Sequence, residues 1–187
     1  MIDDDALIIP SLGHYLTAAT TATQPTFTQI GTFVSAGTLP TGFTELGHTD
    51  LDDIFAFGQD DGDSEIKGSW QNKTLREIIT SEAIDYFVAK ALQFDNETLS
   101  LYYGGGDATV AHEFALPDSP SSQERAVCVV LVDGTDWAAF YAQRTSIKRE
   151  DAPEFATDDF SKLPLRFTIL KKTGSKKAKW IGESLGA

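Results

Sequence analysis

Few residues of this 187-residue sequence have the types and spacing that metal binding or redox chemistry requires. The three histidines, His14, His48 and His112, are far apart, and no H-x-x-x-H pair is present. Cys128 is the only cysteine, so the chain cannot form an internal disulfide or a cysteine-based zinc site. We therefore predict that the protein holds no metal and no cofactor.

Motifs for nucleophilic catalysis and for phosphate binding are also missing. The sequence contains no G-x-S-x-G element, which would place a serine on a tight turn between a strand and a helix. The three glycines at 104–106 lack the spacing and the following helix of a phosphate-binding loop. We expect no catalytic residues and no enzyme activity.

The most unusual segment is an acidic stretch at residues 45–65, in which eight carboxylates precede the first basic residue, Lys67. The sequence at 60–63 resembles the start of a calcium loop, but it fails the EF-hand spacing because its glycine comes too early. A solvated loop and an interaction loop both fit this composition. The segment also carries apolar side chains that a solvated loop would not need, namely Leu51, Ile54, Phe55 and Phe57.

The charges of the chain are unevenly distributed. With 28 acidic and 15 basic residues, the formal net charge is -13, which argues against binding by neutralisation of phosphates. Seven of the basic residues are Lys162, Arg166, Lys171, Lys172, Lys176, Lys177 and Lys179. An acidic segment and a basic one at opposite ends of a chain suit head-to-tail stacking of subunits, although a solvated basic tail fits equally well.

The hydrophobic pattern predicts a mainly β fold. Alternation of apolar and polar residues indicates half-buried strands, and an apolar run followed by the turn Asp133-Gly134-Thr135-Asp136 indicates a central strand in a hairpin. The predicted strands lie at 30–34, 66–70, 110–116, 125–132, 137–147 and 163–169. A short helix is predicted at 95–103, with Asp95 as its N-cap and Gly104 as its stop. The pattern at 80–94 fits both a helix and a strand, and it favours the helix.

The same pattern divides the chain into three parts. Residues 1–26 are rich in Ala and Thr and form a predicted arm, residues 27–173 form one β-domain, and residues 174–187 form a tail. The first five residues, Met1 to Asp5, are acidic where a secretion signal is basic, and no apolar run is long enough to span a membrane. We expect a protein that is made in the cytoplasm and does not enter a membrane.

Several short segments resemble a known family when they are taken together. They are Gly47-His48-Thr49-Asp50, Gly68-Ser69-Trp70-Gln71-Asn72, the run from Gln93 to Gly104, and Leu163-Pro164-Leu165. Their order and spacing over residues 27–172 resemble the major tail tube proteins of siphophages, the phages with long non-contractile tails, and particularly those that infect actinobacteria.

This resemblance implies a β-sandwich or half-barrel of two packed antiparallel sheets with one flanking helix, and it places a strand at 80–94. It also implies a homohexameric ring, with rings stacked into a hollow tube in the virion tail through which DNA passes without specific binding. The expected partners are further copies of the chain, the tape measure protein in the lumen, and the tail terminator and tail-tip proteins.

The resemblance also gives roles to charged residues. Acidic lumen walls would repel duplex DNA, and the candidates for them are Asp63, Glu65 and Glu77. The candidate loop for contact with a neighbouring subunit contains Asp50, Leu51, Asp52, Asp53, Ile54, Phe55, Phe57, Asp60 and Asp61. The candidate basic contact segment contains Lys171, Lys172, Lys176, Lys177 and Lys179.

Two alternatives remain open from the sequence. The first is a tube protein of a contractile tail, a secretion system or a gene-transfer particle, all of which are similar in fold. The second is a β-sandwich module that binds calcium or carbohydrate through its aspartate-rich loop.

Overall fold

The protein is built mainly from antiparallel β-strands. The computed structural model describes residues 7–52, 54–183 and 185. The strands are β1 (Leu12–Ala18), β2 (Phe43–Glu45), β3 (Ala56–Asp60), β4 (Ser64–Lys67), β5 (Arg76–Ile79), β6 (Ile84–Ala91), β7 (Gln123–Asp133), β8 (Asp136–Arg149), β9 (Leu163–Ile169) and β10 (Ala178–Gly182). The helices are α1 (Phe27–Ala36) and α2 (Asn96–Tyr103). In the described part of the chain, neither helix has the length and apolarity to cross a membrane.

Eight of the strands form one sheet, whose order is β2-β1-β7-β8-β9-β6-β3 with β10 added beside β8. The long strand β8 pairs with two different strands along the same edge. Its first half pairs with β10, where Ala142 faces Ala178, and its second half pairs with β9, where Thr145 faces Ile169. Strands β4 and β5 form a separate hairpin.

The large sheet curls so that its two halves face each other. The ring of Tyr15 on β1 lies 6.1 Å from the ring of Phe167 on β9 and 6.4 Å from the ring of Phe87 on β6. In a flat sheet, β1 and β9 would lie three strand spacings apart, about 14 Å. The buried side chains between the two halves form the main core. This arrangement confirms the predicted fold of packed antiparallel sheets.

Helix α1 covers the outer face of the β1-β7-β8 half and creates a second core. Ile30 and Phe33 are buried there with Cys128 and Trp137. The strand predicted at 30–34 is therefore wrong. The side chain of Thr26 accepts a hydrogen bond from the Gln29 amide and the Gln29 side chain accepts one from the Thr26 amide, a capping box that the alternation pattern concealed.

Helix α2 and strand β6 confirm their predictions. The Asp95 carboxylate accepts a hydrogen bond of 2.8 Å from the Thr98 amide, and Gly104 ends the helix in the left-handed conformation. Leu101 and Tyr102 lie on the buried face of α2 and pack into the main core. The segment predicted at 80–94 contains β6, as the family resemblance implied, although its local pattern favoured a helix.

Three other segments differ from the sequence pattern. Residues assigned to the arm form β1, which pairs with β7 along its whole length, and residues assigned to the tail form β10. The strand predicted at 110–116 is wrong, because this segment contributes only the isolated bridge between Asp107 and Ala115. Val110 and Leu116 are more than half exposed, so their alternation faces no neighbouring strand.

Candidate assembly surfaces

The acidic segment at 45–65 is divided between three strands and the connections that join them. It begins at the end of β2, continues through a connection at 46–55, and ends in β3 and the start of β4. Leu46 is buried, and the Asp50 amide donates a hydrogen bond of 2.9 Å to the Lys90 carbonyl, so the connection is attached to the sheet. The segment is therefore not a single solvated loop.

Asp50 lies in a largely buried ion pair rather than on a contact surface. Its Oδ2 lies 2.7 Å from the ammonium nitrogen of Lys162, which also lies 3.0 Å from a carboxylate oxygen of Asp159. The hydrogen bond to Asp50 has the largest effect on the pKa of Lys162, and it raises this pKa. The hydrogen bond to Asp159 raises it further. The hydrogen bond from Lys162 in turn lowers the pKa of Asp159.

The remaining residues of the connection differ in exposure. Leu51 and Asp52 are exposed, and Ile54 is half-buried with its carbonyl accepting a hydrogen bond from the Tyr15 hydroxyl. Asp53 lies outside the described residues. Leu51 is 76% exposed, which makes it the most accessible apolar side chain of this connection. Among the apolar residues of the candidate loop, it is the one most accessible to a neighbouring subunit.

Phe55 and Phe57 belong to an aromatic cluster inside the curled sheet. Their rings lie 4.4 Å apart, and both rings pack against Phe140 on β8. Phe55 is half-buried, whereas Phe57, at the edge of the cluster, is 49% exposed. The structure thus partly buries Ile54 and Phe55, whereas Leu51 and Phe57 remain exposed.

Asp60 and Asp61 follow each other at the end of β3 and have different surroundings. Asp60 forms an ion pair with Arg166 on β9, and Asp61 is exposed. The guanidinium of Arg166 lies 3.5 Å from the ring centroid of Tyr86 and also contacts Glu150 at 3.4 Å. Two acidic residues of this segment, Asp50 and Asp60, are therefore neutralised by basic residues of the same chain.

The three candidate lumen residues all lie on or beside the β4–β5 hairpin. Asp63 is at its base, where its carbonyl accepts a hydrogen bond from the Thr80 amide. Glu65 is paired across the hairpin with Ile78, and Glu77 with Ile66, so the two glutamates lie on opposite faces. The Lys67 ammonium contacts the Glu65 carboxylate. If one face of the hairpin lined the lumen, either Glu65 or Glu77 would point into it, but not both.

The same hairpin carries a set of exposed apolar side chains. All eight residues of β4 and β5 are exposed, and within the described residues the two strands pair only with each other. Trp70, at the tip, is 95% exposed. The other exposed apolar residues are Ile66, Leu75, Ile78 and Ile79. A monomeric surface rarely gathers so many apolar groups on one projection.

The predicted basic contact segment is attached to its own chain at three points. The Lys172 ammonium donates to the Thr20 carbonyl at 2.7 Å, and that of Lys179 donates to the Gln24 side chain at 2.8 Å. Lys177 lies 3.8 Å from Asp85. Lys171 and Lys176 are exposed beside Glu82. These two lysines are the members of the set most accessible to another molecule.

A cavity between β3 and β10 was not predicted from the sequence. This apolar slot has a volume of about 520 Å³ and is lined mainly by Phe57, Phe140, Ile169 and Trp180. The polar side chains of Gln59, Asp85 and Lys177 also line it. The rings of Phe57 and Trp180 lie 6.3 Å apart and are each about half exposed. Sequence reasoning missed the slot because Trp180 lies in a segment assigned to a tail.

The described residues offer little chemistry beyond these contacts. No group of three or more His, Cys, Asp or Glu side chains among them could hold a metal ion. Burial raises the pKa of the Cys128 thiol to about 12, which makes it a poor nucleophile. The surfaces that distinguish this molecule are thus an exposed hairpin, free sheet edges and charged segments, which suit contacts between proteins.

Comparison with known proteins identifies the family. The chain matches the phage tail tube protein family over residues 1–187. It is 37% identical to the major tail protein Gp23 of Mycobacterium phage D29 over 187 residues, which cover 98% of this chain and 94% of the relative. It is 36% identical, with the same coverage, to the major tail protein Gp23 of Mycobacterium phage L5. These matches confirm the resemblance to siphophage tail tube proteins, a family of structural proteins rather than enzymes. The chain belongs to the phage tail tube protein family and is a structural component of a phage tail.

Proposed function

We propose that six copies of this chain form a ring, and that the rings stack into a tube whose lumen conducts DNA during ejection. The observation that carries this proposal is the exposed β4–β5 hairpin. Its apolar side chains, with Trp70 at 95% exposure, would be covered if the hairpin packed against another copy. Burial of each large apolar side chain would contribute about 1.5–3 kcal/mol before the costs of association.

The sheet supports the same conclusion. Within the described residues, β2 and β3 are the ends of the strand order, and each leaves one edge without a strand partner. Free edges invite pairing with another chain, and a closed ring of subunits removes them. A contact in which one surface binds a different surface of the next copy generates rings or open filaments rather than a closed dimer.

The charge of the chain suits a lumen through which DNA moves. Duplex DNA carries one negative charge per about 1.7 Å, so unpaired basic residues on the wall would retain it. Two of the arginines on the large sheet are paired with carboxylates, Arg166 with Asp60 and Arg144 with Glu124. Asp63, Glu65 and Glu77 remain candidates for acidic groups that repel DNA.

A tube of stacked rings implies a set of protein partners. Further copies of the chain form the rings, the tape measure protein occupies the lumen during assembly, and terminator and tip proteins close the two ends. Assembly takes place in the host cytoplasm. These partners account for the charged and apolar surfaces that the isolated subunit leaves exposed.

Electron microscopy of the concentrated purified protein tests the proposal. We expect sixfold rings or hollow tubes. The variant Trp70→Glu should abolish them, whereas Leu116→Glu, which changes an apolar residue that is 59% exposed outside the hairpin, should assemble normally. A compact closed dimer in place of rings, or tubes formed equally well by both variants, would contradict the role given to the hairpin.

A further inference from the structure

The apolar slot between β3 and β10 lies beside two strand edges that are free among the described residues. In the described part of the chain, β10 pairs only with β8 and β3 only with β6, so each strand has one free edge that borders the slot. The slot exposes two aromatic rings, since Phe57 is 49% and Trp180 46% exposed. A free backbone edge beside an apolar groove is the arrangement that binds an added strand.

The mouth of the slot is surrounded by lysines. Lys177 lines the slot itself, and Lys171 and Lys176 line an adjoining depression. Two carboxylates are also present: Asp85 pairs with Lys177 and accepts a hydrogen bond from Gln59, and Glu82 lies beside the other two lysines. Three cations thus face two anions, so the mouth is suited to an acidic ligand.

One segment of the chain has the matching chemistry. Residues 3–9 read Asp-Asp-Asp-Ala-Leu-Ile-Ile, three carboxylates followed by apolar residues with high strand propensity. Leu7 is 72% and Ile9 79% exposed, and in a strand these two residues point to the same side. Pro10 follows them and ends the run.

The direction of this segment favours the slot of another copy. The Ser11 amide donates to the Val132 carbonyl and the Ile9 amide donates to the Asp133 carboxylate, so the chain leaves the sheet at the turn between β7 and β8. The slot borders the other end of the first half of β8, near Ala142. Residues 3–9, which span about 23 Å when extended, would have to reverse direction to reach their own slot.

We propose that residues 3–9 of one copy bind as an added strand in the apolar slot of a neighbouring copy. Leu7 and Ile9 pack onto the exposed surfaces of the Phe57 and Trp180 rings, and the three aspartates at 3–5 face Lys171, Lys176 and Lys177. The inference rests on the proposed self-assembly and identifies one of its contacts. Each copy then has one donor segment and one acceptor slot, which makes the contact directional.

Disulfide cross-linking tests the geometry of the contact. The native Cys128 is buried and should stay unreactive, so Ile9→Cys and Gln59→Cys can be combined in the full-length chain. Oxidation of the assembled double variant should give a ladder of dimers, trimers and longer species on a non-reducing gel. Each variant with only one added cysteine can give dimers at most. Ile9→Cys combined with Leu116→Cys should give no ladder.

Charge reversal tests the recognition. Changing Asp3, Asp4 and Asp5 to lysine should raise the concentration needed for assembly by about tenfold or more. Adding Lys171→Glu, Lys176→Glu and Lys177→Glu to the same chain should restore assembly. Loss of assembly without rescue would overturn the pairing of these two charged groups.

The outcomes separate this inference from the proposed function. Tubes that form normally but give only intrachain disulfides, or none, would overturn the exchange of residues 3–9 and leave the tube function intact. A ladder from Trp70→Cys with Gln59→Cys in place of the arm pair would assign the slot to the hairpin. A compact closed dimer of the unmodified protein, in place of rings or tubes, would overturn the proposed function and this inference together.

Discussion

The ammonium nitrogen of Lys162 lies 2.7 Å from a carboxylate oxygen of Asp50, although the two residues are 112 positions apart in the chain. This pair joins the connection between β2 and β3 to the residues just before β9. The side chains of Asp50 and Lys162 are only 10% and 11% exposed, so solvent screens their attraction weakly. The acidic and basic ends of the sequence therefore meet within one subunit at this point.

We expect Lys162→Met to destabilise the protein more than the double variant Lys162→Met with Asp50→Asn. The single change leaves a largely buried carboxylate without its cation, whereas the double change removes both charges. Urea unfolding of the four members of this double-mutant cycle measures the difference. A loss in the double variant equal to the sum of the two single losses would show that the ion pair contributes no coupling.

The pH dependence of the same variant follows from the shifted pKa values. The raised pKa of Lys162 means that its contribution is complete below about pH 10 and is lost as the pH rises through the folded value. The lowered pKa of Asp159 means that its contribution is present above about pH 4 and is lost as the pH falls. Lys162→Met should therefore flatten the loss of stability below about pH 4.

The elements that could be predicted from the sequence are those fixed by local signals. Helix α2 has an N-cap at Asp95 and a stop at Gly104, and the β7–β8 hairpin has a turn signal at its centre. Helix α1 has equally local signals in Thr26 and Gln29, but the alternation of Ile30 and Val34 in the same segment favours a strand. Local patterns are ambiguous when a segment is this short.

The candidate surfaces could be predicted only in part, because they depend on contacts between distant residues. The apolar residues of the acidic segment and the charged segments could be identified from the sequence. The exposed hairpin could not, because the alternation at 66–70 predicts a half-buried strand, whereas β4 ends at Lys67 and Trp70 is exposed. The burial of Asp50 depends on Lys162, and the slot depends on the curl that brings Phe57 beside Trp180. Such contacts are set by the strand order, which no single stretch of the sequence specifies.

We expect Phe87→Ala to destabilise the protein by about 3–5 kcal/mol, because it removes a fully buried ring from the main core. The ring of Phe87 stacks on that of Phe167 at 4.7 Å, so the cavity would lie between β6 and β9. Phe160→Ala is the matched control, since Phe160 is 73% exposed and should change stability by less than about 0.5 kcal/mol. Similar unfolding free energies for the two variants would contradict the assignment of the core.

Cys128 should not react with a thiol reagent in the folded protein. Burial raises its pKa to about 12, so at pH 8 only about one thiol in ten thousand is ionised, and the side chain is inaccessible. Colour development with a disulfide reagent should be slow in buffer and rapid in denaturant. Rapid reaction of the folded protein would show that α1 does not cover this face as described.

The titration of Glu124 should depend on its hydrogen bonds to Arg144 on the adjacent strand. Two hydrogen bonds of 2.8 and 2.7 Å join the guanidinium to both carboxylate oxygens, and the hydrogen bonding from Arg144 lowers the pKa of Glu124. The pair thus stabilises the fold above about pH 4.3, and this contribution is lost as the pH falls through the folded value. Arg144→Gln should raise the pKa of Glu124 towards its ordinary value, as measured by NMR titration of the side-chain carboxyl carbon.

Lys148→Gln, which removes a positive charge from the same strand without breaking these hydrogen bonds, should change that pKa much less. An equal shift in both variants would mean that net charge, rather than the paired hydrogen bonds, sets the titration of Glu124.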